Sequence, residues 1–143
     1  MKQILVIVPF PMSDENLAKR KQQLGSVQLS NDMEFTFRPV KAGPKNYISE
    51  ADMVLADISI LEAGLTAEVD GFNAVCVDTM SDSGVAALRS TLSIPVVGPG
   101  RASMLTAMML GQHFSIVTMW RKWFHIYEKT VKDLGLQVHL ASV

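Results

Sequence analysis

Short β-branched runs alternate along this chain with stretches of helical periodicity, and no other feature restricts the fold as much. The order is that of successive strand–helix units, which build a mostly parallel sheet. Gln3 to Val8 reads as a first strand that runs into Pro9. Ser13 can cap a helix that opens with Asp14 and Glu15, acids suited to a positive helix end, and continues to about Leu24. Glu34 to Val40 alternates in period two, as a second strand should. After the break at Ala42-Gly43-Pro44, Tyr47 to Val69 is expected to be helical. Its apolar residues Met53, Val54, Ile58, Leu61, Leu65 and Val69 are spaced for one buried face, with Gly64 weakening continuity.

Further strands are expected at Ala74 to Val77, Pro95 to Val97, His113 to Thr118 and Gln137 to Val143. Helices are expected at Val85 to Leu92, Ala102 to Leu110 and Met119 to about Leu134. The fold class is therefore α/β, a Rossmann-like or flavodoxin-like parallel sheet with flanking helices. A terminal strand without a covering helix leaves one sheet face bare, which implies either a missing segment or assembly with another chain.

At 143 residues with 48% hydrophobic and 19% charged side chains, the chain can bury an ordinary domain core. A net charge of −1 and only short cationic clusters argue against nucleic acid as a partner. The apolar start Ile4 to Val8 is too short for a signal core or membrane span. A single cysteine, Cys76, excludes an internal disulfide and fits a reducing cytoplasm; His113, His125 and His139 have no metal-ligand spacing.

Ligands of open parallel sheets bind beyond the carboxyl ends of the strands, so the search narrows to Pro9–Ser13, Asp78–Gly84, Gly98–Ser103 and Thr118–Arg121. The richest loop is Asp78-Thr79-Met80-Ser81-Asp82-Ser83-Gly84, whose hydroxyls and backbone N–H groups could hold a carboxylate or enolate oxygen. Alternatively, Ser81, Asp82 and Ser83 only cap the next helix. Gly98-Pro99-Gly100-Arg101-Ala102-Ser103 lacks both nucleotide-loop patterns. Arg101 is either an anion partner or a solvated loop cation. Cys76 lies inside a strand, where a buried thiol is inert; it reads as a core residue rather than a nucleophile or redox centre. The Met104, Met108, Met109 group and the Trp120, Trp123, Phe124, Tyr127 group follow helical spacing and read as core or interface.

The run Thr79-Met80-Ser81-Asp82-Ser83-Gly84, then Ala87-Leu88-Arg89, Ile94-Pro95-Val96-Val97-Gly98 and Phe114-Ser115-Ile116-Val117-Thr118, resembles the hydantoin and allantoin racemase branch of the aspartate/glutamate racemase superfamily, without gaps in spacing. The resemblance is good from Phe72 to Thr118 and weak between Met33 and Asp70. That branch carries Cys-Phe-x-Asp-Pro-Gly at the end of this strand. Anchoring on Asp82 and Gly84 puts Thr79 at the family's first catalytic cysteine, with Cys76 out of register.

The resemblance implies a first α/β domain over residues 1–98 and the start of a similar second domain over 99–143. It implies cofactor-independent proton transfer, with no metal, at a carbon next to a carboxylate or amide of a hydantoin- or amino-acid-type ligand. Two cysteines act as acid and base in such enzymes, and a threonine hydroxyl is too weak a base to replace one. Thr79 is thus expected to bind rather than to abstract a proton. Pro9, Phe10, Thr79, Met80, Ser81 and Thr118 are the implied substrate-binding residues; Phe10 stands where relatives place a polar contact. The alternatives are an arylmalonate-decarboxylase-like single-cysteine enzyme and a non-catalytic ligand-binding or assembly module. A homo-oligomer is implied, with the helix from Trp120 to Tyr127 as a candidate contact.

Overall fold

The computed structural model describes residues 1–27 and 29–143. β1 (Lys2–Val8) is the central strand of a four-stranded sheet ordered β2–β1–β3–β4, in which β2 is Met33–Pro39, β3 Ala74–Val77 and β4 Val96–Val97. Every pairing in it is parallel, with Val6 opposite Phe37 on one side and Cys76 on the other. The expected parallel α/β architecture is what the chain adopts.

Alternation along β1 divides the core between the two sheet faces. Leu5 and Ile7, both 0% exposed, point to a cluster that includes Ile60, Ala63, Val75, Val77, Val85 and Leu88. Here the sheet meets α2 (Glu50–Gly64) and α3 (Val85–Thr91). Val6 and Val8 point the other way, against Phe37, Met12, Leu17 and Leu24, under α1 (Asp14–Gln22). Ser13 caps α1 as expected, accepting from the Asn16 amide, and a 3-10 turn follows over Gln23–Ser26.

α2 is shorter than expected, and only part of its expected face is buried: Met53 is, and Leu61 packs half-buried against the core. It starts at Glu50 because Ser49 and Asp52 form a reciprocal capping box, and it ends at Gly64. The residues it buries are Met53, Ala56, Ile60, Ala63 and Gly64. Of the stripe expected to be buried, Val54 (56%), Ile58 (59%), Leu65 (48%) and Val69 (91%) are exposed instead. Small residues explain the difference, since they let the helix axis approach the sheet closely. A Cβ on Gly64 would stand 2.6 Å from Leu88 Cδ2 and 2.9 Å from Ile7 Cδ1, so a larger residue there would force those two core side chains to shift.

The later elements are α4 (Pro99–Leu110), β5 (Phe114–Ser115), α5 (Phe124–Asp133) and β6 (Leu140–Ser142). β5 and β6 pair in parallel as a second, separate sheet. Three expectations were too long. The strands at 113–118 and 137–143 shrink to Phe114–Ser115 and Leu140–Ser142, and the helix from Met119 becomes a 3-10 turn at Arg121–Trp123 followed by α5. α4 instead starts earlier than expected, because Pro99 at its first turn needs no N–H partner. α5 docks on the amino end of α2, where Ile126 and Trp123 pack with Tyr47, Met53 and Ala56. No helix among the described residues is long and apolar enough to cross a membrane.

Candidate active site

In the order β2–β1–β3–β4 the chain switches direction of winding between β1 and β3, so the loops leaving those strands diverge and open a crevice. The loop after β1 brings Pro9 and Phe10, and the loop after β3 brings Thr79, Met80 and Ser81. A cavity of about 190 Å³ lies there, lined by Phe10, Tyr47, Thr79, Met80, Ser81, Trp123, Ile126 and Tyr127.

Its floor is a chain of hydroxyls. Thr79 Oγ1 lies 3.1 Å from Ser81 Oγ, which lies 2.8 Å from Ser83 Oγ. The Ser83 amide donates to Ser81 Oγ at 3.3 Å and the Ser81 amide to Thr79 Oγ1 at 3.5 Å. Backbone donors thus occupy acceptor sites on Thr79 and Ser81 and orient the row. When the hydroxyl protons run from Ser83 to Ser81 to Thr79, the Thr79 O–H is left as the free donor.

The walls are aromatic. Phe10 meets Tyr47 edge to face with ring centroids 5.5 Å apart, and Trp120 meets Trp123 in the same way at 5.6 Å. The Tyr47 hydroxyl donates to the Pro9 carbonyl at 3.4 Å. Burial, and secondarily the charge of Asp57, pushes the Tyr47 phenol up to about 12, so it stays protonated at neutral pH. Trp123 Nε1 is buried without a hydrogen-bond partner among the described residues.

Of the residues expected to bind substrate, Phe10, Thr79, Met80 and Ser81 line the cavity. Pro9 adjoins it through the Tyr47 bond, and Thr118 through a 3.2 Å hydroxyl contact with Tyr127. Sequence reasoning missed Tyr47, Trp123, Ile126 and Tyr127 as lining residues. Trp123, Ile126 and Tyr127 sit at helical spacing, a signal for a shared face but not for what that face covers.

Asp82 corrects an expectation. It does not cap α3, whose N-cap is Gly84 with no side-chain bond. Instead its carboxylate accepts from the Gly100 amide at 2.8 Å and the Arg101 amide at 2.7 Å, capping α4. A left-handed backbone, φ 53°, turns it that way. The approach is close enough that a Cβ on Gly100 would meet the Met80 carbonyl at 2.3 Å. Burial raises the Asp82 carboxyl pKa, while the Arg101 and Gly100 amides and the nearby Arg101 and Arg89 charges lower it. The end of α3 is served by Asp57, which accepts from the Gly84 amide at 2.7 Å. Arg101 lines a separate polar depression with Arg89, Lys129 and Ser81, and its Nε is buried and unpartnered among the described residues.

Cys76 lies outside the aromatic cavity. It is half-buried in β3 beside Arg20 and Asp78, which form a bidentate ion pair, and burial pushes its thiol up, with Asp78 and Asp82 adding to the effect. The described residues hold no group of three or more His, Cys, Asp or Glu able to bind a metal ion.

The four-stranded parallel sheet with flanking helices is an α/β fold that solved allantoin racemases share. The allantoin racemase from Klebsiella pneumoniae superposes with a TM-score of 0.87 at 22% identity, over 99% of this chain and 57% of that one. The allantoin racemase from Pseudomonas fluorescens gives 0.79 at 22% identity, over 98% and 60%. In sequence, the chain is 29% identical over 103 residues to the hydantoin racemase of Pseudomonas sp. (strain NS671), covering 72% of this chain and 41% of that protein. The family model described as Asp/Glu/Hydantoin racemase matches residues 11–143, and the chain belongs to that family. It corresponds to the N-terminal part of these relatives and spans about two fifths to three fifths of their lengths.

Proposed function

We propose that this chain supplies the substrate-binding side of a racemase-type site. The reaction is cofactor-independent proton transfer at a carbon next to a carboxylate or amide, on a hydantoin- or amino-acid-type ligand. The observation that carries the reading is the hydroxyl row Thr79–Ser81–Ser83 at the switch-point cavity. Thr79, at the position of the family's first cysteine, donates its O–H to a carbonyl or enolate oxygen rather than taking a proton. Ser81 holds that hydroxyl, Tyr127 and Thr118 form a second hydroxyl pair, and Phe10, Tyr47, Trp123 and Ile126 exclude water from an apolar substituent. We read residues 1–98 as one α/β unit and 99–143 as the start of another, in keeping with the two separate sheets. The lone cysteine supports a cytoplasmic location.

One observation favours the reading as a non-catalytic binding module. No Cys, His, Asp or Glu is among the described residues lining the cavity. Proton transfer therefore needs an acid and a base from outside this set, such as the proton-donating cysteine of a single-cysteine decarboxylase.

The two readings separate by solvent deuterium exchange into the α position of 5-benzylhydantoin and of aspartate, together with calorimetric binding. Exchange supports the racemase reading; binding without exchange supports the module. For Thr79→Ala, loss of one hydrogen bond is expected to weaken 5-benzylhydantoin binding about tenfold. Unchanged affinity would remove Thr79 from the site.

A further inference from the structure

Arg101 is a cation that the hydroxyl-floored crevice leaves unused. It sits in the first turn of α4 rather than in a loop, and a merely solvated cation would keep its guanidinium in water. Arg101 does not: its Nε is closed to solvent and has no hydrogen-bond partner among the described residues. A buried donor left unpaired costs free energy, and such a group in a native fold calls for a partner such as an ion. The polar depression of about 340 Å³ that Arg101 lines supplies the setting. Arg89 enters it from α3 and Lys129 from α5, so three cations converge from three helices in a chain whose net charge is −1. The two carboxylates there are already engaged, Asp82 by the Gly100 and Arg101 amides and Asp133 by Lys129 at 2.6 Å. Three cations against two carboxylates leave one positive charge in excess.

We propose that this depression binds the oxyanion of a small molecule, a phosphate ester or a carboxylate, between Arg101, Arg89 and Lys129. The planar fork of an arginine takes two oxygens at once through Nε and a terminal nitrogen. A ligand that turns the Arg101 guanidinium outward therefore pairs the idle Nε and recovers its cost. Arg89 is held in place by bonds from Nε (2.9 Å) and Nη2 (2.7 Å) to the Val96 carbonyl, which spares the ligand the ordering of a long side chain. The volume has room for more than a bare ion. The donors are side chains, because the amides at the start of α4 are already taken by Asp82. Ser81 lines both this depression and the aromatic crevice, so the two sites share one loop. The site stands independently of the racemase reading, which uses none of these three cations.

Titration calorimetry of the whole chain with inorganic phosphate and with malonate, at constant ionic strength, tests the site. Saturable binding of one molecule per chain is expected, and the tighter probe tells a phosphate ester from a carboxylate. Arg101→Gln should raise the dissociation constant of that probe at least about tenfold, and Lys129→Gln at least about threefold, with unchanged circular dichroism spectra. Lys21→Gln, which removes an exposed cation on α1, should change nothing. Independently of any variant, the Arg101 Nε–H proton resonance of the native chain should move downfield as the tighter probe saturates, as hydrogen bonding to an anion requires. Absence of saturable binding by both probes, equal weakening by Lys21→Gln and Arg101→Gln, or an Arg101 resonance that stays in place at saturation would each overturn the proposal.

Discussion

Asp82 links two loops. Its carboxylate reaches across from the β3 loop to the first amides of α4, and Gly98 and Gly100 leave room for it. Removing it strips two charge-assisted bonds and a helix cap, so Asp82→Ala is expected to lower stability by ~2 kcal/mol, read as a shift in the urea midpoint. Cys76 makes a kinetic prediction. With its thiol half-buried and its pKa raised, modification of the native protein by a maleimide should run at least about tenfold slower than in the unfolded chain. An equal rate would contradict the structural role. The candidate loop was legible in the sequence because its polar residues are contiguous and follow a β-branched run. The partner of Asp82 was not, since a carboxylate before a helix looks the same whether it caps that helix or one 17 residues further on.

Among the elements, β1 and β3 were legible because strands buried on both faces need unbroken Val, Ile and Leu, a composition few other elements share. The short strand β5 was overextended because the β-branched residues Ile116, Val117 and Thr118 continue past it, and β6 because Gln137–His139 before it form a 3-10 turn. α2 shows where periodicity stops being informative. Its large side chains form a stripe, yet Ala56, Ala63 and Gly64 decide which side meets the sheet, because depth of approach outweighs side-chain size. The start of α2 rests on its capping box, in which the Ser49 hydroxyl donates to Asp52 Oδ2 at 2.9 Å and accepts from the Asp52 amide at 3.2 Å. Ser49→Ala is expected to cost about 1 kcal/mol, seen as a fall of roughly 3 °C in melting temperature.

Across the whole molecule, the carboxylates set how stability depends on pH. The Thr66 hydroxyl and then Arg38 hold the Asp70 carboxyl below its ordinary 3.8, and the Ser49 hydroxyl and the Ile48 and Ser49 amides do the same for Asp52. A depressed folded-state value means that the contribution is present above 3.8 and lost as pH falls through the folded value. The urea midpoint should therefore fall as the pH drops below the ordinary carboxyl value of 3.8, and Asp70→Asn should flatten that fall. Asp82 has the opposite sign: its value is raised by burial, so the protonation-linked part of its contribution is full at low pH and lost as pH rises through the folded value, while the two amide bonds that cap α4 persist. Asp82→Asn should accordingly steepen the acid limb. The aromatic cavity belongs to this scale too. Tyr47 and Tyr127 are 80 residues apart in the chain, and no local pattern states that they share a wall.

The bond from Asp82 to the amino end of α4 also makes ligand and architecture reciprocal. On the proposed reading, a ligand that moved the 79–83 loop would act on the same carboxylate that anchors the next helix, so binding in the crevice and the seating of the start of α4 would share one free energy. Affinity then becomes a gauge of how firmly that later segment is held, and protection of the Gly100 and Arg101 amides a gauge of whether the crevice is filled.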